Sequence, residues 1–354
     1  MKDTVCINVR TQVPYDVIIG SGLLSDTGRF MAALTGCRTV AVYSDDTVDS
    51  LFGRTVTDSL EAAGYSCFRH VVPHGEKSKN MHSVMSFIDA MAAHGMTRDD
   101  AVIALGGGVP GDTAGFAAAI YMRGIRYVQI PTTLLAAVDS SVGGKTAVDI
   151  SAGKNLAGAF HQPSLVLCDT SALDTLPAAT LRDGMAEVVK YGAVKSCALL
   201  DMAREWPDCN FTDIISQCVE IKRDIVSDDE YDRGRRRLLN FGHTVGHAME
   251  LLGNYSITHG AAVAKGMVRA ARIGAAMGLA DCTDALSEIL SGCGFDLSCP
   301  YSAQQLFQAA LSDKKRGTDG IALVLPHEWG LCGIHTVRED SLLSLLKMTE
   351  QWPV

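Results

Sequence analysis

The chain contains no run of about 18 apolar residues, so nothing in it reads as a membrane-spanning helix. Its opening, Met1-Lys-Asp-Thr-Val-Cys6, alternates like a strand and lacks the apolar core of a secretory signal. A basic surplus is also missing. The formal charge is −9 and the pI about 5.5, a balance that argues against a general nucleic-acid binder. A local lysine cluster can still oppose that average and receive an anionic small molecule. The eleven cysteines form no CxxC pair, and Cys6, Cys37, Cys168 and Cys218 sit inside apolar runs. An odd count without framework spacing points to buried thiols in a reducing compartment, and the cytoplasm is the expected location. There is no internal repeat, low-complexity tract or long linker. A familiar phosphate-binding frame is absent as well: GxxxxGK[ST] fails because Asp139 stands where its first glycine belongs.

What is present describes a soluble, loop-punctuated α/β protein: 354 residues, 47% hydrophobic, 20% charged, with 34 glycines. That length suggests two domains. Up to about Asp169, short β-branched runs alternate with helical stretches. Val5-Cys-Ile-Asn-Val9 and Tyr15-Asp-Val-Ile-Ile19 read as an opening hairpin. A buried strand is expected at 39–43 and further strands at 66–72, 101–105, 127–130 and 165–168, with helices at about 80–95 and 113–122. This repetition predicts a Rossmann-like, mostly parallel sheet covered on both faces. From Leu176-Pro177 onward helical periodicity takes over, at 178–206, 211–228, 239–252, 259–279, 283–292 and 303–312, with one β excursion at 321–325. The expected domains are therefore 1–175, an α/β nucleotide-binding domain, and 176–354, a mainly α-helical metal- and substrate-binding domain. The active site is expected in the cleft between them.

Three constellations stand out. The first is Leu239-Asn-Phe-Gly-His-Thr-Val-Gly-His-Ala-Met-Glu250. His243 and His247, four apart, project from one helix face, and Arg236 and Asn240 extend the polar stripe through the expected helix start. His259 follows, and Glu187 lies upstream in Gly184-Met-Ala-Glu-Val-Val-Lys190. One glutamate and two histidines form a ligand set that Zn²⁺ accepts with a position left open. The plainer alternative is a histidine pair satisfied by packing. The second is Leu105-Gly-Gly-Gly-Val-Pro-Gly-Asp112 between a strand and a helix, where backbone amides and a helix N-terminus can meet a pyrophosphate. It also fits a merely tight βα connection, but Asp45, Glu76, Lys79 and Thr132-Thr133 likewise follow strand ends, the edge where open α/β sheets bind ligands. The third runs from Thr132 through Asp139-Ser-Ser-Val-Gly-Gly-Lys145-Thr to Gly153-Lys-Asn155. Its lysines among small residues suggest a loop laid against a ligand, against the alternative of solvated surface charges.

Taken together, Gly106-Gly-Gly-Val-Pro-Gly-Asp112, Tyr121-Met-Arg-Gly124, Pro131-Thr-Thr-Leu-Leu, Asp139 to Thr146, Gly153-Lys-Asn155, Gly184 to Lys190, Leu239 to His247 and His259-Gly260 resemble the 3-dehydroquinate synthase family, in order from about Asp45 to Lys315. The resemblance implies conversion of 3-deoxy-D-arabino-heptulosonate 7-phosphate to 3-dehydroquinate and phosphate, in the shikimate pathway of aromatic amino acid biosynthesis. NAD⁺ takes and later returns a hydride at carbon 5, and a divalent metal (Zn²⁺ or Co²⁺) holds the neighbouring hydroxyls. It further implies Glu187, His243 and His259 as metal ligands and His247 as general acid/base. Asp139, Lys145, Asn155, Lys190, Lys222, Arg236, Asn240 and Lys314 (or its neighbour Lys315) would line the substrate pocket. Arg123 would serve a neighbouring subunit's phosphate site in a homodimer. Asp45, Glu76, Lys79, Gly107, Gly108, Val109, Gly111, Asp112, Thr132, Thr133, Lys154 and Thr175 would hold NAD.

Three positions depart from the family pattern. Ala261 replaces a glutamate that could orient His259, Asp232 replaces a glutamate, and Pro110 replaces an aliphatic residue and removes a backbone donor. Another sugar-phosphate cyclase, a metal-dependent polyol dehydrogenase and a catalytically silent NAD-binding protein are the competing readings.

Overall fold

The computed structural model describes residues 4–313 and 320–350. Among them, everything up to Pro177 joins Phe211–Tyr231 in one compact unit, and Ala178–Asn210 joins everything from Asp232 onward in a second. The change of unit at Pro177 lies in the stretch where helical periodicity begins. The helix Phe211–Asp228, expected in the C-terminal domain, belongs instead to the first unit, where it packs on β1 (Val5–Val9) and β2 (Tyr15–Gly20).

The first unit continues with β3 (Thr39–Asp45), β4 (Ser66–Val72), β5 (Ala101–Gly106), β6 (Arg126–Pro131), β7 (Lys145–Ile150), β8 (Gly153–Phe160) and β9 (Leu165–Asp169). Seven of these form one sheet in the order β1-β2-β9-β6-β5-β3-β4, with every neighbouring pair parallel except the antiparallel β1–β2 hairpin. The period of two divides the strand residues between two cores. Val40 and Val42 join Met31, Val56, Leu60, Ile103 and Leu105 on one face. Ala41 and Tyr43 join Val84, Phe87, Met91, Val102 and Ala117 on the other. From β3 the chain passes to β4 on one side and returns as β5 on the other. This reversal leaves a crevice at the strands' carboxyl ends, which carry Asp45 and Gly106.

Two local expectations are corrected. The helix expected from Thr113 begins at Gly108 and runs to Ile120, so the glycine turn contributes its first turn. Glycine and proline hide this start, yet a proline in the first turn sacrifices no intrahelical hydrogen bond, because those amides have no partner there. Pro110 is therefore accommodated. The lysine-bearing stretch expected as a loop contains an antiparallel hairpin, β7 with β8, in register from Lys145↔Phe160 to Val148↔Ala157. Its small residues obscure the alternation, and Gly158 is required because a Cβ there would lie 2.1 Å from the Thr146 carbonyl oxygen.

The second unit is mostly helical. Its helices are Ala178–Lys195, Cys197–Arg204, His243–Leu252, His259–Ala276, Thr283–Gly292, Ala303–Asp313 and Glu339–Met348, accompanied by the antiparallel pair β10 (Ile321–Glu328) and β11 (Leu331–Val337). The single helix expected at 178–206 breaks where the Ser196 hydroxyl accepts from the Leu199 amide. The helix expected from Leu239 begins at His243, after Gly242 turns left-handed (φ 80°), and Arg235–Asn240 forms a separate 3-10 turn. No helix of the described residues is long and apolar enough to cross a membrane.

Candidate metal centre and nucleotide edge

Close helix packing builds the candidate metal centre. A Cβ on Gly266 would lie 2.0 Å from the Gly242 carbonyl oxygen, so the helices His243–Leu252 and His259–Ala276 approach as only a glycine allows. A Cβ on Gly260 would lie 2.1 Å from the Asp183 oxygen, which presses the start of the latter helix against Ala178–Lys195. Asp183 and Glu187 are one turn apart on that helix, so the same contact brings His259 to Glu187. Thr258 Oγ1 and Asp183 Oδ1 both accept from the Ala261 amide, at 3.4 and 3.2 Å, and fix the helix entry.

Glu187 is fully buried. Its Oε1 lies 3.5 Å from His243 Nε2 and 3.2 Å from His259 Nε2, and its Oε2 pairs with the Lys190 amine three residues on. Donor atoms of Glu187, His243 and His259 all fall within 4.8 Å of one another, as a shared cation requires. His243 Nδ1 donates to the Phe241 carbonyl oxygen at 3.1 Å, which leaves Nε2 for the centre. Burial drives the His243 pKa down to about 3, with Glu187 opposing and Lys190 adding to the shift. Burial also works against a charged His259, but Glu187 and Glu250 outweigh it and raise that ring to about 10. His247 stands one turn past His243, ring centroids 5.4 Å apart, and 6.1 Å from His259. Arg236 is buried and Asn240 exposed in the preceding turn.

Sequence reasoning missed Glu250. It is buried, and its Oε2 lies 3.6 Å from His259 Nδ1. The signal was its spacing: 243, 247 and 250 are offsets of zero, four and seven on one helix face.

The first unit carries the candidate nucleotide edge. Asp45 ends β3 and accepts from the Val48 amide at 2.9 Å. At the end of β5, Gly106 takes φ 151°, and a Cβ there would meet Pro110 at 2.6 Å. Packing does not demand glycine at Gly108, where a Cβ would meet only Ser140 Oγ at 3.5 Å, so this position suits close approach of a ligand to the backbone. The Gly111 amide is bonded to the Gly107 oxygen, and with Pro110 lacking an N–H the helix start leaves the amides of Gly107, Gly108 and Val109 without an intrahelical acceptor. Thr132 binds the Gly106 oxygen through its amide, and the Thr133 hydroxyl accepts from Ala136.

Lys79 and Asp112, both largely buried, form an ion pair of 2.6 Å. Burial disfavours charge on each. Asp112 overcomes this for Lys79 and holds the amine above the ordinary lysine value, so we read the pair as ionised although burial raises the Asp112 carboxyl. Lys154, on β8, lies 3.4 Å from Glu76. Lys145 begins β7, and the Asn155 amide donates to Asp149 Oδ1. Lys222, buried on the returning helix, pairs with the Asp139 carboxylate and reaches the Asp139 carbonyl oxygen at 2.6 Å. Arg123 is exposed at the end of a left-handed turn. Thr175 ends the turn after β9, its hydroxyl donating to the Ala172 oxygen. Lys314 and Lys315 lie outside the described residues. Asp232 has φ 56°, a conformation that aspartate tolerates better than glutamate, which accounts for the shorter side chain there.

Residues 69–183 match the family model described as 3-dehydroquinate synthase N-terminal, and residues 184–316 the one described as 3-dehydroquinate synthase C-terminal. The chain belongs to the 3-dehydroquinate synthase family. The family's member in Streptococcus gordonii is 42% identical over 344 residues, covering 94% of this chain and 97% of that relative. The one from Geobacter metallireducens is 44% identical over 345 residues, covering 94% and 95%. Among solved structures, a 2-deoxy-scyllo-inosose synthase complexed with carbaglucose-6-phosphate, NAD⁺ and Co²⁺ superposes with a TM-score of 0.87 at 25% identity, over 97% of this chain and 99% of its own. ValA, a 2-epi-5-epi-valiolone synthase from Streptomyces hygroscopicus with NAD⁺ and Zn²⁺ bound, gives 0.86 at 28%, over 98% and 99%. A glycerol dehydrogenase from Schizosaccharomyces pombe, at 14% identity and 0.65, shares the fold alone.

Proposed function

We propose that this chain converts 3-deoxy-D-arabino-heptulosonate 7-phosphate to 3-dehydroquinate and phosphate, as a carbon–oxygen lyase that eliminates phosphate. The observation that carries the reading is the convergence of Glu187, His243 and His259, beside Lys190 and His247, in a chain about 40% identical to 3-dehydroquinate synthases over nearly its whole length. That likeness favours this reaction over those of the other sugar-phosphate cyclases, which share the fold at 25–28% identity.

Glu187, His243 and His259 fit a Zn²⁺ or Co²⁺ ion, and the β3, β5 and β6 ends, with Glu76, Lys79, Lys154 and Thr175, fit NAD. When bound, NAD⁺ supplies reversible hydride removal and the metal supplies Lewis acidity at the substrate hydroxyls. The remaining work falls to side chains. Lys145, Lys190, Lys222, Arg236, Asn155 and Asn240 give the cationic and amide donors that a substrate with a phosphate and a carboxylate requires in an otherwise acidic protein. Glu187 holds the Lys190 amine and Asp139 that of Lys222, so both are positioned before substrate arrives. His247 carries the proton as general acid/base. Arg123 serves a partner subunit's phosphate site in a homodimer. Among the eleven cysteines six are buried, which supports a reducing, cytoplasmic setting, although Cys6, expected to be buried, is exposed.

The test is incubation of the purified protein with the heptulosonate phosphate, NAD⁺ and a divalent metal. The expected result is phosphate and 3-dehydroquinate in equal amounts without net NADH. Net NADH would make the protein a dehydrogenase, and a different carbocycle would make it another cyclase.

A further inference from the structure

The His259 ring is spanned by two carboxylates. Its Nε2 faces Glu187 Oε1 at 3.2 Å, and its Nδ1 faces Glu250 Oε2 at 3.6 Å. A histidine that ligates through Nε2 must carry its proton on Nδ1, and an acceptor at Nδ1 selects that tautomer and fixes the ring plane. His243 meets this condition through the Phe241 carbonyl oxygen. For His259, Ala261 brings no side-chain acceptor, and its amide is taken by Asp183 and Thr258, so the backbone sets where the helix begins but not how the ring is turned.

Glu250 comes from the neighbouring helix, seven residues after His243, and only 7% of its surface is exposed. Burying a carboxylate is costly unless a partner compensates it, and at 3.6 Å the His259 Nδ1 is in direct electrostatic contact with the Glu250 carboxylate.

We infer that Glu250 is the positioning residue of His259: its carboxylate holds the Nδ1–H tautomer and aims Nε2 at the cation shared with Glu187 and His243. The inference rests on the metal-site assignment of the proposed function and deepens it, since Glu250 itself does not ligate.

The experiment is a Zn²⁺ titration of the metal-stripped full-length protein against a chromophoric chelator, for wild type, Glu250→Ala and Glu250→Gln. Melting temperatures of the metal-free forms are read in parallel. Wild type should take up one ion tightly, and Glu250→Ala should bind about 10- to 100-fold more weakly, the usual effect of losing such an outer partner. Glu250→Gln, whose amide oxygen still accepts from Nδ1–H, should recover most of the loss. Wild-type affinity in folded Glu250→Ala would overturn the inference, as would a glutamine variant no better than alanine. His247, Glu250 and His259 also have donor atoms within 4.8 Å. Two ions per wild-type chain, the second lost in Glu250→Ala, would therefore make Glu250 a ligand and overturn it too. A wild type that binds no zinc would refute the metal site itself, whereas one tight ion in all three proteins would refute only the role of Glu250.

Discussion

Glu187 poses the central problem at the residue scale. A carboxylate with no exposure pays a desolvation cost that only close cationic or hydrogen-bonding partners offset. Lys190, His243 and His259 are placed to do so, and the two imidazoles with the carboxylate are also the group whose donor atoms could hold a metal ion. His247 lies beside this group, its ring centroid 5.4 Å from that of His243, and belongs to a second group of donor atoms with Glu250 and His259. His247→Ala should keep zinc stoichiometry and melting temperature close to wild type and lose turnover by about a hundredfold or more, the scale of a lost general acid/base. Metal content, melting and turnover measured on one preparation decide this. Near-normal turnover per folded molecule would reduce His247 to packing. The pairing of His243 with His247 was legible from spacing alone. The part played by Glu250 was not, because its partner His259 belongs to another helix.

Two elements carry predictions of their own. The start of β3 is tied to the turn before β5 by Asp100, which accepts from the amides of Arg38, Thr39 and Thr97 at 3.2, 2.8 and 2.7 Å and from the Thr97 hydroxyl at 2.9 Å. Burial raises the Asp100 carboxyl, but these amide bonds outweigh it and leave the pKa below the ordinary value. A carboxylate depressed in the folded state adds stability above its unfolded pKa of about 3.9 and loses it as pH falls through the folded value. Asp100→Asn should therefore cost about 1.5–3 kcal/mol near neutrality, the range for hydrogen bonds to a charged group, and less in acid. Denaturant melts across pH would show the difference narrowing below about pH 4.

The second element is the turn Tyr121–Arg123, where Met122 and Arg123 take φ 49° and 69°. Two successive non-glycine residues in the left-handed region store strain. Arg123→Gly should raise stability by about 1 kcal/mol while raising KM for the sugar phosphate, opposite signs that separate a functional arginine from an incidental one. At this scale the glycine turn was read as ligand-facing, but its start as a helix was hidden by the low helix propensity of glycine and proline. The β7–β8 hairpin was hidden by alanines and glycines that blur a period of two.

For the whole molecule, both cofactors should be required together. Chelation should abolish phosphate release, and Zn²⁺ or Co²⁺ should restore it, while NAD⁺ without metal should leave the protein inactive. Full activity in a demonstrably metal-free sample would remove the ion from the reaction. Local pattern by itself determined the parallel strands, the helices after Pro177, the glycine turn and the ligand-like residue types, because each is written in propensity and in periods of 2 and 3.6. Only the tertiary structure decided that the helix Phe211–Asp228 returns to the sheet unit, since an amphipathic face states that it will be buried but not against what. The tertiary structure also decided that Glu250 and Glu187 stand on opposite sides of one imidazole. That arrangement depends on three helices closing to the distance that Gly242, Gly260 and Gly266 permit, and no local stretch of sequence encodes such a contact.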